Sequence, residues 1–109
     1  MTAGPAPDPF SALSDANRRE IIALLRNGEK SVQEIADALP ISRPAVSRHL
    51  RLLKGAGLVA DRAEGNRRIC RLDEAGLEEL YEYLEDMWGD AAARYRLAVE
   101  NVTEPGHGS

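Results

Sequence analysis

Cysteine is almost missing from this chain: Cys70 is the single thiol in 109 residues. One thiol excludes an internal disulfide framework and fits a reducing compartment, so a cytoplasmic location is expected. It also excludes a multi-thiolate metal site within one chain. Aromatic residues are scarce, with one Trp, one Phe and three Tyr. Long apolar runs are absent, and none approaches the roughly 18 residues that a membrane helix needs, so no membrane partner is expected. The opening residues lack the basic and apolar stretches of a signal peptide. A Gly-rich phosphate loop, a catalytic dyad and a metal-ligand cluster are also missing, and neither His49 nor Cys70 has an obvious sequence partner. No catalytic residue, no cofactor and no enzyme activity are therefore expected.

Positive charge is in the minority as well, giving a formal net charge of −4. Its placement matters more than its total. Residues 41–72 hold Arg43, Arg48, Arg51, Lys54, Arg62, Arg67, Arg68 and Arg71 against only Asp61 and Glu64. From Asp73 onward the balance inverts to a strongly acidic end. A basic middle beside an acidic end is either a local field for a polyanion or an ordinary mixed surface, and charge alone does not separate the two.

The length supports one domain. Residues 1–9 are rich in Pro, Ala and Gly and read as a disordered lead, the folded domain spans 10–102, and 103–109 read as a disordered tail. Phe10 to Ser14 form a short apolar turn of helix. Asp15 is a good N-cap for a helix that Gly28 ends. Ser31 and Glu34 have capping-box spacing, and Val32, Ile35, Ala36 and Leu39 recur at helical intervals until Pro40. Ser42 caps a third helix with Pro44 in its first turn, where a missing N–H costs little. Leu58–Ala63 and Arg67–Leu72 read as two short strands around Glu64-Gly65-Asn66. Asp73 caps a long last helix, in which Gly89 either interrupts or is tolerated.

Two helices joined by Pro40-Ile41-Ser42 have the layout of a helix-turn-helix. At about 100° per residue, Val46, Leu50 and Leu53 point inward on the second helix. Arg48 and Arg51 point the opposite way, with Arg43 and Ser47 on a flank. One side can therefore pack on the domain while the other enters a major groove. Arginine suits that face because its guanidinium bonds guanine O6 and N7 together. Ser42 and Ser47 can serve a base or a phosphate. His49 lies nearer the apolar stripe, which favours packing or a phosphate contact over base readout. The basic hairpin that follows, with Arg62, Asn66, Arg67 and Arg68, reads as a wing that reaches phosphates or a minor groove. The expected class is thus mainly α with a small β-hairpin, a winged helix-turn-helix in the order α-α-α-α-β-β-α. A protein-binding winged helix is the competing reading, and its usual loss of the basic face argues against it here.

The last helix carries more apolar residues than one side of a small domain absorbs. Tyr81, Leu84, Met87, Trp88 and Tyr95, joined by Phe10 and Leu13, are the candidate interface of a homodimer through the terminal helices. A two-fold dimer would place two recognition helices about 34 Å apart, on an inverted-repeat DNA operator.

Residues 11 to about 77 resemble the ArsR family of bacterial repressors. The resemblance lies in Ala12-Leu-Ser-Asp-Ala-Asn-Arg-Arg-Glu-Ile-Ile22, in Glu34-Ile35-Ala36, and above all in Ile41-Ser-Arg-Pro-Ala-Val-Ser-Arg-His-Leu-Arg-Leu-Leu-Lys-Gly-Ala-Gly-Leu-Val59. It implies a dimeric winged-helix repressor, often of its own operon, with DNA-facing residues at positions matching Arg43, Ser47, Arg48 and His49. Metal-sensing members place paired cysteines on the helix matching Ser31 to Leu39, or histidines and carboxylates on the last helix. Here the former has none and the latter offers only carboxylates such as Glu78, Glu82 and Glu85, with His107 in the tail. No metal site is expected, and whether a small-molecule effector exists stays open. Cys70 reads as a small buried strand residue in preference to a redox switch.

Overall fold

A computed structural model describes residues 8–108, with side chains described to Glu100 apart from residue 92. The chain divides into two compact units, one ending at Glu78 and one beginning at Glu79.

The first unit is built from helices whose ends are written in their caps. Helix α1 (Pro9–Ala12) starts at Asp8, whose carboxylate accepts from the Ser11 amide at 3.0 Å. Helix α2 (Ala16–Leu25) starts at Asp15, which accepts from the amides of Asn17 and Arg18 at 2.8 and 3.2 Å. These bonds satisfy amides that the first helical turn leaves without partners. Strand β1 (Lys30–Ser31) leads into helix α3 (Val32–Ala38). The capping box is complete: Glu34 N–H donates to Ser31 Oγ at 3.0 Å, and Ser31 N–H donates to Glu34 Oε1 at 2.7 Å. Helix α4 (Arg43–Gly55) begins at Ser42, whose hydroxyl oxygen accepts from the Ala45 amide at 3.2 Å. Strands β2 (Val59–Glu64) and β3 (Arg67–Leu72) form an antiparallel hairpin with Glu64 opposite Arg67. Gly65 takes a φ of +63° at the first of the two turn positions, the sign pattern of a type II′ turn.

The element order differs from the expected one by β1. This strand pairs antiparallel with β3, Lys30 opposite Cys70 and Ser31 opposite Ile69, giving a three-stranded sheet in the order β1-β3-β2. Two residues are too few to show an alternation in sequence, and Ser31 is already committed to capping α3. Asp8 and Pro9, which the sequence reading puts in the lead, instead cap and open α1. Residues 1–7 and 109 lie outside the described residues.

Ile21, Ile35, Val46, Leu53 and Leu58 are fully buried and make the centre of the first unit, with Leu25, Val32, Leu50, Val59 and Ile69 around them. The stripe Val46, Leu50, Leu53 thus faces inward as its spacing requires. Helix α5 (Glu74–Gly108) starts beneath Asp73, whose carboxylate accepts from the Ala75 amide at 3.1 Å. The Asp73 amide donates to the Leu58 carbonyl at 2.9 Å, tying the helix entry to the start of the hairpin. Gly76 sits against Gly57 so closely that a Cβ there would overlap the Gly57 carbonyl oxygen. The backbone of α5 is continuous through Gly89 and stays helical to Gly108 where a tail was expected from Thr103.

Candidate nucleic-acid interface

Helices α3 and α4 and the turn between them present α4 with one face buried and the other open. Arg48 and Arg51 are exposed, Ser47 and His49 half-buried. Neither Arg48 nor Arg51 enters an ion pair or hydrogen bond among the described residues. Two free guanidiniums on the outer face of a helix are donors without acceptors, a chemistry that a guanine edge or a phosphate would complement. Arg43, at the start of α4, donates to Gln33 Oε1 of α3 at 2.9 Å, so its fork is aimed from the helix–turn–helix junction. Ser42 accepts as a cap and keeps its O–H free to donate.

The hairpin arginines Arg62, Arg67 and Arg68 are different, because each of these three is already met by an acid. Arg62 donates to Glu29 at 2.9 Å and Glu64 at 3.3 Å, and Arg67 lies 3.7 Å from Glu34. These pairs are exposed, and pairs of that kind hold their partners weakly enough for a phosphate to replace them. The Arg62 bond still holds the Glu29 carboxyl below its ordinary range. Arg68 and Lys54 both reach Asp61 Oδ2, at 3.2 and 3.0 Å. Burial alone would raise the Asp61 pKa, but the bonds and charges of Lys54 and Arg68 outweigh it and leave the carboxyl below its usual value. Asn66 is exposed at the hairpin tip.

His49 is half-buried and meets a side chain of another helix. Its Nδ1 lies 3.2 Å from Arg18 Nη1, while Arg18 Nε donates to the Ala12 carbonyl at 2.6 Å. Arg18 donates, so Nδ1 accepts and a proton sits on Nε2, which can serve a phosphate. Arg18 thereby ties α1, α2 and α4 together, and Arg19 holds the Leu13 carbonyl at 2.8 Å. Both look like surface charge in sequence, and no local spacing marks them as braces.

The model for bacterial regulatory proteins of the arsR family matches residues 15–61, from the cap of α2 into the hairpin. The HTH-type transcriptional regulator Rv2034 of Mycobacterium tuberculosis is 43% identical over 97 residues, covering 88% of this chain and 91% of that one. This chain belongs to the ArsR family. The arsenical resistance operon repressor of Escherichia coli is 44% identical over 94 residues, covering 85% of this chain and 80% of its own. A solved structure described as a possible transcriptional regulator for arsenical resistance superposes with a TM-score of 0.71 at 37% identity, covering 84% of this chain and 95% of the other. This ArsR-family member is accordingly a DNA-binding transcriptional regulator with a winged helix-turn-helix, not an enzyme.

Cys70 of this ArsR-family chain is a buried strand residue, 1% exposed. Burial and the neighbouring Asp61 push its thiol pKa up, against the pull of Lys54 and Arg68. Thiolate is the reactive form, so alkylation at neutral pH is expected to proceed far more slowly than for free cysteine and to accelerate on unfolding in urea. Its rate should also rise at a more alkaline pH than that of an unperturbed thiol. Rapid labelling of the folded protein at pH 7 would contradict the buried assignment. Among the described residues, no three His, Cys, Asp or Glu side chains gather as metal ligands. No helix among them is long and apolar enough to cross a membrane.

In the second unit, Tyr81, Leu84, Met87, Trp88 and Tyr95 are all exposed, from 39% at Leu84 to 73% at Tyr95. Their spacing places them on one stripe of α5. The Tyr81 hydroxyl donates to Glu85 at 3.0 Å, which satisfies its polar end and leaves the ring as apolar surface. Phe10 and Leu13 belong to the first unit, Phe10 exposed at 41% and Leu13 half-buried.

Proposed function

We propose that this regulator is a metal-independent repressor, often of its own gene, that binds an inverted-repeat operator as a homodimer. The observation that carries the reading is the open face of α4, where Arg48 and Arg51 are unpaired opposite a fully buried stripe. Ser42, Arg43, Ser47, Arg48, His49 and Arg51 serve the major groove and its flanking phosphates. Arg62, Asn66, Arg67 and Arg68 serve the adjacent backbone or minor groove. Repression follows from covering a promoter.

The apolar stripe of α5 supports pairing with a second copy, because an isolated chain would leave an aromatic-rich strip in water. Residues 31–39 hold no cysteine and α5 has no histidine up to Glu100, which supports independence from metal. The Escherichia coli relative takes its name from arsenical resistance, but here a single buried thiol offers a soft ion too few donors.

Sedimentation is expected to give a dimer. Trp88→Glu should yield a monomer with unchanged helix content and more than tenfold weaker operator binding. Exhaustive chelation, and separately added zinc or arsenite, should leave wild-type affinity unchanged. A dimeric Trp88→Glu with full affinity would contradict the interface, and a metal-dependent affinity would contradict the metal-free reading.

A further inference from the structure

Between α4 and the hairpin lies a crevice of about 240 Å³, lined by Val32, Ser47, Leu50, Arg51, Lys54, Asp61 and Arg68. Three cations, a serine hydroxyl and one carboxylate share its lining, and two of the cations, Lys54 and Arg68, reach the carboxylate. Asp61 is the anomaly. Its side chain is only 11% exposed, and it holds Lys54 from α4 and Arg68 from β3 on the same oxygen. An acid at the centre of a surface meant for a polyanion opposes binding unless its presence serves selection.

We propose that this crevice is a seat for one DNA backbone phosphate, and that Asp61 is the resident anion which that phosphate must displace from Lys54 and Arg68. The proposal rests on the operator reading above. A phosphodiester and a carboxylate carry the same charge and two equivalent acceptor oxygens, so either satisfies the two cations. The carboxylate is tethered and cannot leave. A phosphate entering the crevice therefore gains Lys54 and Arg68 while facing the charge of Asp61. On arbitrary sequence, where backbone contacts supply nearly all the affinity, that repulsion keeps the seat empty. On the operator, base contacts from α4 hold the duplex in register and drive the phosphate in. Asp61 thus lowers non-specific binding more than operator binding, and is a specificity-determining residue that need not touch a base.

The test measures the salt dependence of binding to an operator duplex and to a scrambled duplex, by wild type and by Asp61→Asn. Asparagine keeps the shape and removes the charge. Asp61→Asn is expected to bind the scrambled duplex about threefold more tightly at moderate salt, with a log–log salt slope steeper by about one, as for one added phosphate contact. The ratio of operator to scrambled affinity should fall. Unchanged or weaker scrambled binding by a folded Asp61→Asn overturns the proposal alone. Wild-type protein that binds no duplex at low salt overturns the operator reading and this proposal with it. Should Asp61→Asn fail to fold, Lys54→Gln decides: its operator slope should be shallower by about one, and an unchanged slope overturns the seat.

Discussion

Arg48→Ala and Arg51→Ala are each expected to weaken operator binding by about 5- to 150-fold, the range that corresponds to ~1–3 kcal/mol for a bidentate arginine–guanine contact. The double variant should lose sequence discrimination altogether. Both side chains are exposed and unpaired, so neither substitution leaves a buried partner stranded, and thermal stability should move little. That separation gives the prediction its force. Arg62→Ala and Arg67→Ala serve as the contrast, because the wing arginines already share their charge with Glu29, Glu64 and Glu34. They should weaken operator and scrambled duplexes alike, and reduce the salt slope by about one each. Filter binding or fluorescence anisotropy on both duplexes, beside a melting curve for each variant, checks the set. Full discrimination retained by the double variant would place base readout elsewhere.

Gly76→Ala is expected to be strongly destabilising. The added Cβ would meet the Gly57 carbonyl carbon at 2.6 Å, and that carbon is backbone, which has no rotamer to escape into. Gly57 is itself held at a φ of +80°, so its peptide is not free to swing aside. Overpacking of this kind costs about 1–3 kcal/mol and sometimes more. For a domain of this size that lowers Tm by roughly 5–20 °C. Gly89→Ala is the matched control on the same helix. There the Cβ would meet only the Glu85 carboxylate end at 3.0 Å, a flexible group that can turn away. Removing a glycine from a helix interior should stabilise by up to about 1 kcal/mol. Opposite signs at the two glycines, read by circular dichroism melting, would confirm the close approach at Gly57. A neutral Gly76→Ala would show that the entry to α5 is not pinned there.

Much of this architecture is legible in sequence because the helix ends are chemically explicit. Asp15, the Ser31–Glu34 pair, and Ser42 with Pro44 each mark a terminus by a bond that spans two or three residues. Such local signals need no knowledge of the fold. The stripe Val46, Leu50, Leu53 is equally plain, and with it the open face of α4. What the sequence conceals is contact between distant positions. Strand β1 exists only because β3 is there to pair it. Gly76 looks like a poor helix residue until Gly57 is beside it. Asp61 looks like a stray acid until Lys54 and Arg68 close on it, and Arg62 looks free until Glu29 meets it. His49 carried a packing signal in its wheel position, but its partner Arg18 carried none. The candidate surface was therefore readable as a list of residues, and its division into free and occupied cations was not.

That division makes the central claim testable in one measurement: selection of bound duplexes from a random DNA pool by the wild-type protein, with Arg48→Ala carried in parallel. The account predicts an enriched inverted repeat whose half-site centres lie about one helical turn apart, about 34 Å, and no such enrichment by Arg48→Ala. A wild-type pool that stays random at moderate salt, or one whose enriched repeat survives in Arg48→Ala, would contradict it.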